Sequence, residues 1–229
     1  MSIVSYRLDE PVATITMDDG KVNALSLTML AELGAALDRA EADRAVVVLT
    51  GREGRFSAGF DLGVLRAGGP DAFTMLRGGF ELAARLLSFP TPVLVACPGH
   101  AIAMGVFLLL SGDYRIGATG EFRITANEVA IGMAMPQAAI EICRQRLTPA
   151  AFERAVVLAQ VFGPDEAVAA GFLDRVVPPA DLADVARRTA EALATLDLDA
   201  HAATKLRARA PALTALRAAI ERDHPPVVG

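Results

Sequence analysis

The chain has 229 residues, a formal net charge of −5 and a hydrophobic content of 53%. This length suits one large domain with a sizeable core, and the negative charge argues against nucleic acid as a partner. No apolar run reaches the roughly 18 residues that a membrane span needs, and the first residues do not have the pattern of a secretory signal. We therefore predict a cytoplasmic protein with neither a membrane nor a nucleic-acid partner.

Cysteine and histidine usage points in the same direction. Cys97 and Cys143 both stand in apolar contexts, which predicts reduced core residues of a cytosolic protein. His100, His201 and His224 are scattered, without the spacing of a metal site, so we expect no metal.

The first half of the chain alternates between strand and helix patterns. The predicted elements are strands at 3–8 and 12–17, a helix at 27–42 capped by Ser26, a strand at 45–50, a glycine-punctuated loop at 51–62 that leads into a short helix, and a helix at 71–88.

The second half begins in the same way and then becomes helical. We predict a strand at 93–97, a turn through 98–103 and a buried helix ending near Ser111. Further strands are predicted at 113–117, 121–124 and 172–177. The predicted helices are at 136–147, 149–160, 164–170 and 180–196, with two more by 222. Short links between strands and helices favour an α/β core. We expect this core to span residues 1–190 and a helical region to span 191–229.

Two segments have the same local pattern of strand, turn and helix. Phe56–Leu62 and Gly99–Phe107 each follow a predicted strand, contain small residues at the turn and lead into a helix. The backbone N–H groups at a helix start have no intrahelical partner, and the helix dipole favours negative charge there. Two such N–H groups that converge would stabilise an enolate or a tetrahedral oxyanion.

These segments, in this order and spacing, resemble the crotonase (enoyl-CoA hydratase/isomerase) family. Phe56–Leu62 matches its F-x-A-G-x-D-L loop, and Gly99–Gly105 matches its G-x-A-x-x-G helix start, followed by Asp113 near the helix end. The resemblance covers about residues 3–180. Three further segments agree with it: Val22–Leu25, Asn127–Gly132 and Asp165–Gly171.

The resemblance implies an α/β fold, the crotonase-like ββα spiral with a C-terminal helical trimerisation region, assembled as a homotrimer or a dimer of trimers. It implies an acyl-CoA thioester substrate, with CoA as part of the substrate and no separate cofactor. The thioester oxygen would accept hydrogen bonds from the N–H groups of Ala58 and Met104. The residues expected to bind the substrate around them are Ser57, Gly59, Phe60, Asp61, Leu62, Gly105, Phe107 and Lys21.

The reaction depends on two positions. Phe107 stands where two-carboxylate hydratases of the family carry their first catalytic Glu, and Glu128 aligns with their second. One carboxylate suffices for a proton shuttle, so we predict a Δ3 to Δ2 enoyl-CoA isomerase with Glu128 as its single acid/base. Hydration, other enolate chemistry, a non-catalytic acyl-CoA binder and an RNA-binding relative are the alternatives, and the acidic charge disfavours the last.

Several polar residues have simpler interpretations. Asp61 is predicted to cap its helix, Asp113 to satisfy backbone groups at a helix end, and His100 to be structural. Glu141 is a rival base, although its helical position favours a solvated face. Lys21 and Lys205 either meet CoA phosphates or are solvated, and we favour solvation for both.

Overall fold

The computed structural model describes residues 2–223; His224 and the end of the predicted 191–229 region lie outside this range. The strands within it are β1 (Val4–Asp9), β2 (Val12–Met17), β3 (Val46–Thr50), β4 (Gly54–Ser57), β5 (Val93–Cys97), β6 (Gly99–Ile102), β7 (Tyr114–Ala118), β8 (Ile124–Thr125) and β9 (Arg175–Val177). The helices are α1 (Leu27–Ala42), α2 (Leu62–Ala67), α3 (Gly69–Ser88), α4 (Met104–Leu110), α5 (Gln137–Arg144), α6 (Pro149–Val156), α7 (Pro164–Ala170), α8 (Leu182–Leu193) and α9 (Leu198–Arg222).

The strands form two sheets. The large sheet has the order β1-β2-β3-β5-β7-β9, and the small sheet has the order β4-β6-β8. Apart from the antiparallel β1–β2 pair, all of these pairings are parallel. The chain passes three times from a strand of the large sheet to one of the small sheet and then into helix, which gives the predicted ββα spiral.

Two short strands were missed by the sequence analysis. The stretch at 54–57 was predicted as loop, yet it forms β4, and the stretch at 99–102 was predicted as turn, yet it forms β6. Each has four residues and begins with glycine, so neither has a periodic apolar pattern of useful length. They become strands because they pair with each other, with Gly54 opposite Gly99.

The helices enclose the large sheet. α1 and α3 pack together on one side, α8 packs against β3, β5 and β7 on the other, and α9 packs against α3 and α5. The two helices predicted between residues 196 and 222 are a single helix, α9, which contains Pro211. The predicted boundary between the core and the helical region, after residue 190, falls inside α8.

Local predictions agree with the structure at several positions. Ser26 caps α1 by accepting a hydrogen bond from the Met29 N–H. Cys97 and Cys143 are buried and free. None of the helices described between residues 2 and 223 is long and apolar enough to cross a membrane.

Candidate active site

The turn before α4 presents one free backbone donor. Ala103 has φ 51° and ψ −125°, and its N–H donates to the Thr125 carbonyl over 2.9 Å. Met104 is the first residue of α4, so its N–H has no intrahelical acceptor. Within residues 2–223 it has no other backbone or side-chain acceptor either. The helix dipole favours negative charge at this position.

The loop after β4 presents a second free donor, although it is not the predicted one. The Ala58 N–H donates to the Val22 carbonyl over 3.0 Å, so it is not available to a ligand in this structure. The Gly59 N–H donates to Ser57 Oγ over 3.1 Å. The next N–H, that of Phe60, has no acceptor among the described residues. The hydrogen bonds of this loop therefore replace Ala58 with Phe60 as the candidate donor.

The direction of the Phe60 N–H follows from its pairing. Leu25 and Phe60 form an isolated parallel bridge, in which the Leu25 N–H donates to the Gly59 carbonyl over 2.8 Å. A bridge of this kind uses the peptide groups on either side of Phe60, so the N–H of Phe60 itself points away from Leu25.

The two turns are in direct contact. Gly59 has φ +89°, and a Cβ at this position would lie 2.8 Å from Ala103 Cβ and 3.2 Å from the Met104 nitrogen. A Cβ on Gly105 would lie 2.5 Å from the Ser57 carbonyl oxygen. Only glycine permits both approaches, and together they bring the Phe60 turn and the Met104 turn side by side.

An apolar wall stands behind these turns. A Cβ on Gly79 of α3 would lie 2.5 Å from the Phe60 ring and 3.5 Å from Met104 Cγ, so both side chains pack against this helix. The Phe80 ring contacts the Phe60 ring edge-on at 6.1 Å and stacks with the Phe107 ring at 6.2 Å. Phe107 is only 1% exposed, so it is a core residue of α4 that also forms part of this apolar wall.

Glu128 is a buried acid on the segment that holds the Met104 turn. It precedes the 3₁₀ turn Val129–Ile131 and follows Thr125, the residue that fixes Ala103, by three positions. Its side chain is 6% exposed, and Oε2 has no hydrogen-bond partner among the described residues. Burial raises the pKa of the carboxyl to about 7, and a hydrogen bond from its own backbone N–H partly opposes this shift. A carboxyl with such a pKa exchanges protons readily near neutral pH.

The surroundings of Glu128 hold further unsatisfied polar atoms. Thr125 Oγ1 and Asn127 Oδ1 are buried and, within the described residues, have no hydrogen-bond partner. Buried oxygens of this kind are normally satisfied by water or a ligand. Burial raises the pKa of the Cys143 thiol, and the charge of the nearby Glu128 carboxylate raises it further.

The other predicted site residues have defined local roles. Ser57 Oγ donates to the Asn23 carbonyl over 2.7 Å, and Asp61 caps α2 by accepting from the Gly63 and Val64 N–H groups, as predicted. Leu62 and Lys21 are both exposed. Asp113 satisfies a backbone group, as predicted, by accepting from the Val93 N–H over 2.7 Å.

The prediction that Lys205 is solvated was wrong. It is 6% exposed, and its Nζ lies 2.7 Å from Asp113 Oδ2, so it does not meet a CoA phosphate in this arrangement. Burial lowers the pKa of this amine to about 8, while Asp113 opposes the shift. Arg209 contacts the second oxygen of Asp113 at 2.8 Å.

Asn23 was missed as a site-forming residue. It is fully buried with φ 53°, and its Nδ2 donates to the carbonyls of Met17 and Phe56 over 2.9 and 3.1 Å. It thereby joins the segment at 21–25 to β4. The N-A-L motif at 23–25 was noted in the sequence, but the positive φ was not.

A cavity of about 760 Å³ lies elsewhere, between the large sheet and α8. Its lining includes Val48, Ala96 and Leu182, and none of the predicted site residues.

The family follows from comparison with known proteins. Residues 7–225 match the model of the enoyl-CoA hydratase/isomerase family. The chain belongs to this family. The crotonase fold and the acyl-CoA class of enzyme predicted from the sequence are confirmed at this level.

Proteins similar to this chain are named for both activities. A Pseudomonas syringae enoyl-CoA hydratase/isomerase family protein is 49% identical, with a TM-score of 0.96 over 98% of each chain. A Mycobacterium tuberculosis protein is 52% identical, with a TM-score of 0.93 in each of two structures. One structure names it a probable enoyl-CoA hydratase, and the match covers 96% of this chain and 93% of that one. The other names it an enoyl-CoA isomerase, and the match covers 96% of each chain. A probable enoyl-CoA hydratase of Rhodobacter capsulatus is 36% identical over 88% of this chain and 79% of its own length.

Proposed function

We propose that this protein is an enoyl-CoA isomerase that moves a double bond from the Δ3 to the Δ2 position. The observation that carries the proposal is Glu128, the one buried carboxyl side chain among the described residues, which has a pKa of about 7. It follows by three positions Thr125, whose carbonyl accepts the Ala103 N–H in the turn that presents the free Met104 N–H. Phe107 occupies the position at which a hydratase needs its other carboxylate. The proposal includes assembly as a homotrimer or a dimer of trimers in the cytoplasm.

The reaction needs one base and one oxyanion site. Glu128 removes a proton from C2 of the 3-enoyl thioester, where the adjacent carbonyl makes the proton acidic. The electron pair moves onto the thioester oxygen, which the N–H groups of Phe60 and Met104 hold as a dienolate. Glu128 then returns the proton to C4, the C2–C3 double bond forms and the carbonyl is restored. Each oxyanion donor contributes about 10²- to 10³-fold to such a rate.

Hydration of a 2-enoyl-CoA is the alternative, because several relatives carry the hydratase name. It needs a second acid/base to activate water. Glu141 is a poor candidate, because its carboxylate accepts a hydrogen bond from Gln137 at 2.6 Å and pairs with Arg144 at 3.7 Å. Phe107, buried behind the turns, neither holds water nor transfers a proton.

The test is an assay of the purified full chain with two substrates. We expect conversion of 3-enoyl-CoA to 2-enoyl-CoA, and little hydration of 2-enoyl-CoA. Glu128→Gln should lower kcat of the isomerisation by about 10²- to 10⁴-fold while the acyl-CoA still binds. Glu141→Gln is the matched control and should keep wild-type kcat.

Two results would decide against the proposal. Rapid hydration without isomerisation would establish the hydratase alternative. Binding of acyl-CoA with no turnover of either substrate would identify a non-catalytic binder.

A further inference from the structure

One face of α9 carries three basic side chains that share a single acid. His201, Lys205 and Arg209 are spaced four residues apart, so they lie above one another on the helix. Lys205 Nζ lies 2.7 Å from Asp113 Oδ2, and Arg209 lies 2.8 Å from Oδ1. His201 Nε2 is 4.0 Å from Oδ2, which is too far for a hydrogen bond. These four residues, the Asp113 cluster, line a cavity of about 460 Å³.

Arg146 brings a further positive charge to the Asp113 cluster. Burial, and then the charge of Arg115, lower the pKa of Arg146 to about 10. Asp113 and Asp174 oppose this shift, so both acids lie near the guanidinium group. Asp174 already pairs with Arg115 at 2.8 Å, and Arg146 forms no ion pair within residues 2–223. The single carboxylate of Asp113 therefore faces the two paired cations of α9 and also Arg146.

Two buried nitrogen atoms of this region have no hydrogen-bond partner in the part of the chain that the structure describes. They are Arg146 Nε, which is a donor, and His201 Nε2. Asp113 does not satisfy them, because its Oδ2 already accepts from Lys205 and from the Val93 N–H, both over 2.7 Å. Buried polar atoms are normally satisfied by water or a ligand, and a buried charge is costly unless it is paired. The region therefore lacks a negatively charged acceptor.

A second acid, Asp197, also lines the cavity, but it does not supply this charge. It is exposed, and its Oδ1 caps α9 by accepting from the Ala200 N–H over 2.8 Å. Among the described residues it forms no ion pair with Lys205 or Arg209.

The donors of the cavity indicate the class of ligand that fits. The ammonium of Lys205 and the guanidinium of Arg209 carry several N–H groups each, more than one carboxylate engages. An ion with two or more oxygens can accept from both of these groups and from His201, and such charge-assisted hydrogen bonds are short and strong. We propose that a small oxyanion, a phosphate or a carboxylate, binds in this cavity between His201, Lys205 and Arg209.

This site is separate from the candidate active site. Met104 begins α4 and Asp113 follows its end, so the two lie at opposite ends of a helix about 10 Å long. Binding of the anion requires no turnover and does not depend on the proposed isomerase activity. Because the anion binds residues that join α9 to the rest of the protein, its expected effect is on stability: a ligand that binds only the folded state stabilises it.

The test is thermal unfolding of the full chain in sodium phosphate, sodium acetate and sodium chloride at equal ionic strength. Chloride controls for ionic strength alone. We expect phosphate or acetate to raise Tm above its value in chloride, with an effect that saturates. The oxyanion that saturates at the lower concentration identifies the ligand as a phosphate or as a carboxylate. An equal response to all three salts would overturn the proposal.

A variant then tests the assigned residues. His201→Ala removes one donor and leaves both ion pairs of Asp113 in place, so we expect it to fold and to bind the oxyanion about tenfold more weakly. Arg207→Gln is the matched control, because it removes a positive charge from an exposed position of α9, and it should bind like wild type. Equal weakening in both variants would mean that only the general charge of α9 matters, which contradicts the proposal.

The histidine resonances of wild type give a measurement that does not depend on a variant's stability. The ring signals of His201, assigned by their absence in His201→Ala, should shift during a titration with phosphate or acetate. The shift should saturate at the same concentration as the rise in Tm. Signals of His201 that do not move while Tm rises would place the anion elsewhere and refute the assignment.

Discussion

Gly59 lies against the backbone of Met104: a Cβ on Gly59 would come within 3.2 Å of the Met104 nitrogen. This contact fixes the spacing of the two turns, and with it the relation between the Phe60 and Met104 N–H groups.

We therefore expect Gly59→Ala to damage catalysis more than folding. Its methyl group would also lie 2.8 Å from Ala103 Cβ, so the two turns must move apart. Losing one oxyanion donor costs about 10²- to 10³-fold in kcat. Gly20→Ala is the control, because Gly20 also has a positive φ, +72°, but has no atom within 4 Å of an added Cβ. Equal losses of kcat in both variants would show that backbone strain, and not the spacing of the turns, is responsible.

The pKa of Glu128 predicts the pH dependence of isomerisation. The carboxylate is the active form of the base, and burial raises its pKa to about 7. We expect kcat/KM to rise about tenfold per pH unit at acidic pH and to level off above about pH 7. The measurement is an initial-rate profile at low substrate concentration. A plateau that extends down to pH 5 would mean that the base ionises with an ordinary carboxyl pKa.

The same pKa shift predicts how stability varies with pH. The folded-state pKa of Glu128 lies above its ordinary value of 4.5, so between the two values the folded state binds more protons than the unfolded state does. The resulting stabilisation is complete below the ordinary pKa and is lost as pH rises through about 7. Relative to Glu128→Gln, wild type should lose about 2 to 3 kcal/mol of unfolding free energy between pH 5 and pH 8. Urea unfolding of both proteins at each pH tests this, and parallel curves would contradict it.

Phe107 should matter for stability because it is a core residue. It is 1% exposed and stacks with Phe80, so Phe107→Ala leaves a cavity in the wholly buried helix α4. We expect a loss of about 3 to 5 kcal/mol in the free energy of unfolding. Phe73→Ala, at a position that is 38% exposed, should cost much less. Similar losses in both variants would mean that the core around α4 closes over the missing ring.

The sequence predicted the elements that have a strong local signal. The helix at 27–42 has an apolar face and a capping serine, and the structure reproduces its bounds. β4 and β6 were missed because their stability comes from pairing across more than 40 residues. A four-residue strand that begins with glycine looks like a turn until its partner is known.

The candidate active site shows the same division between local and long-range information. The two turns could be located from motifs, and Asp61 could be predicted as a cap. The choice between Ala58 and Phe60 as the donor could not be made, because it depends on a hydrogen bond from Ala58 to the distant Val22 carbonyl. The burial of Lys205 likewise depends on Asp113, which is 92 residues away in the sequence.

The Asp113 cluster links α9 to the strand that precedes the Met104 turn. One carboxylate receives Lys205 and Arg209 from α9 and also the Val93 N–H at the start of β5, the strand that leads toward the Met104 turn. Removing α9 would leave that acid without its two cationic partners and expose the apolar sides of α3 and α5. The position of β5 and the packing of α3 and α5 therefore depend on contacts made by the C-terminal helix.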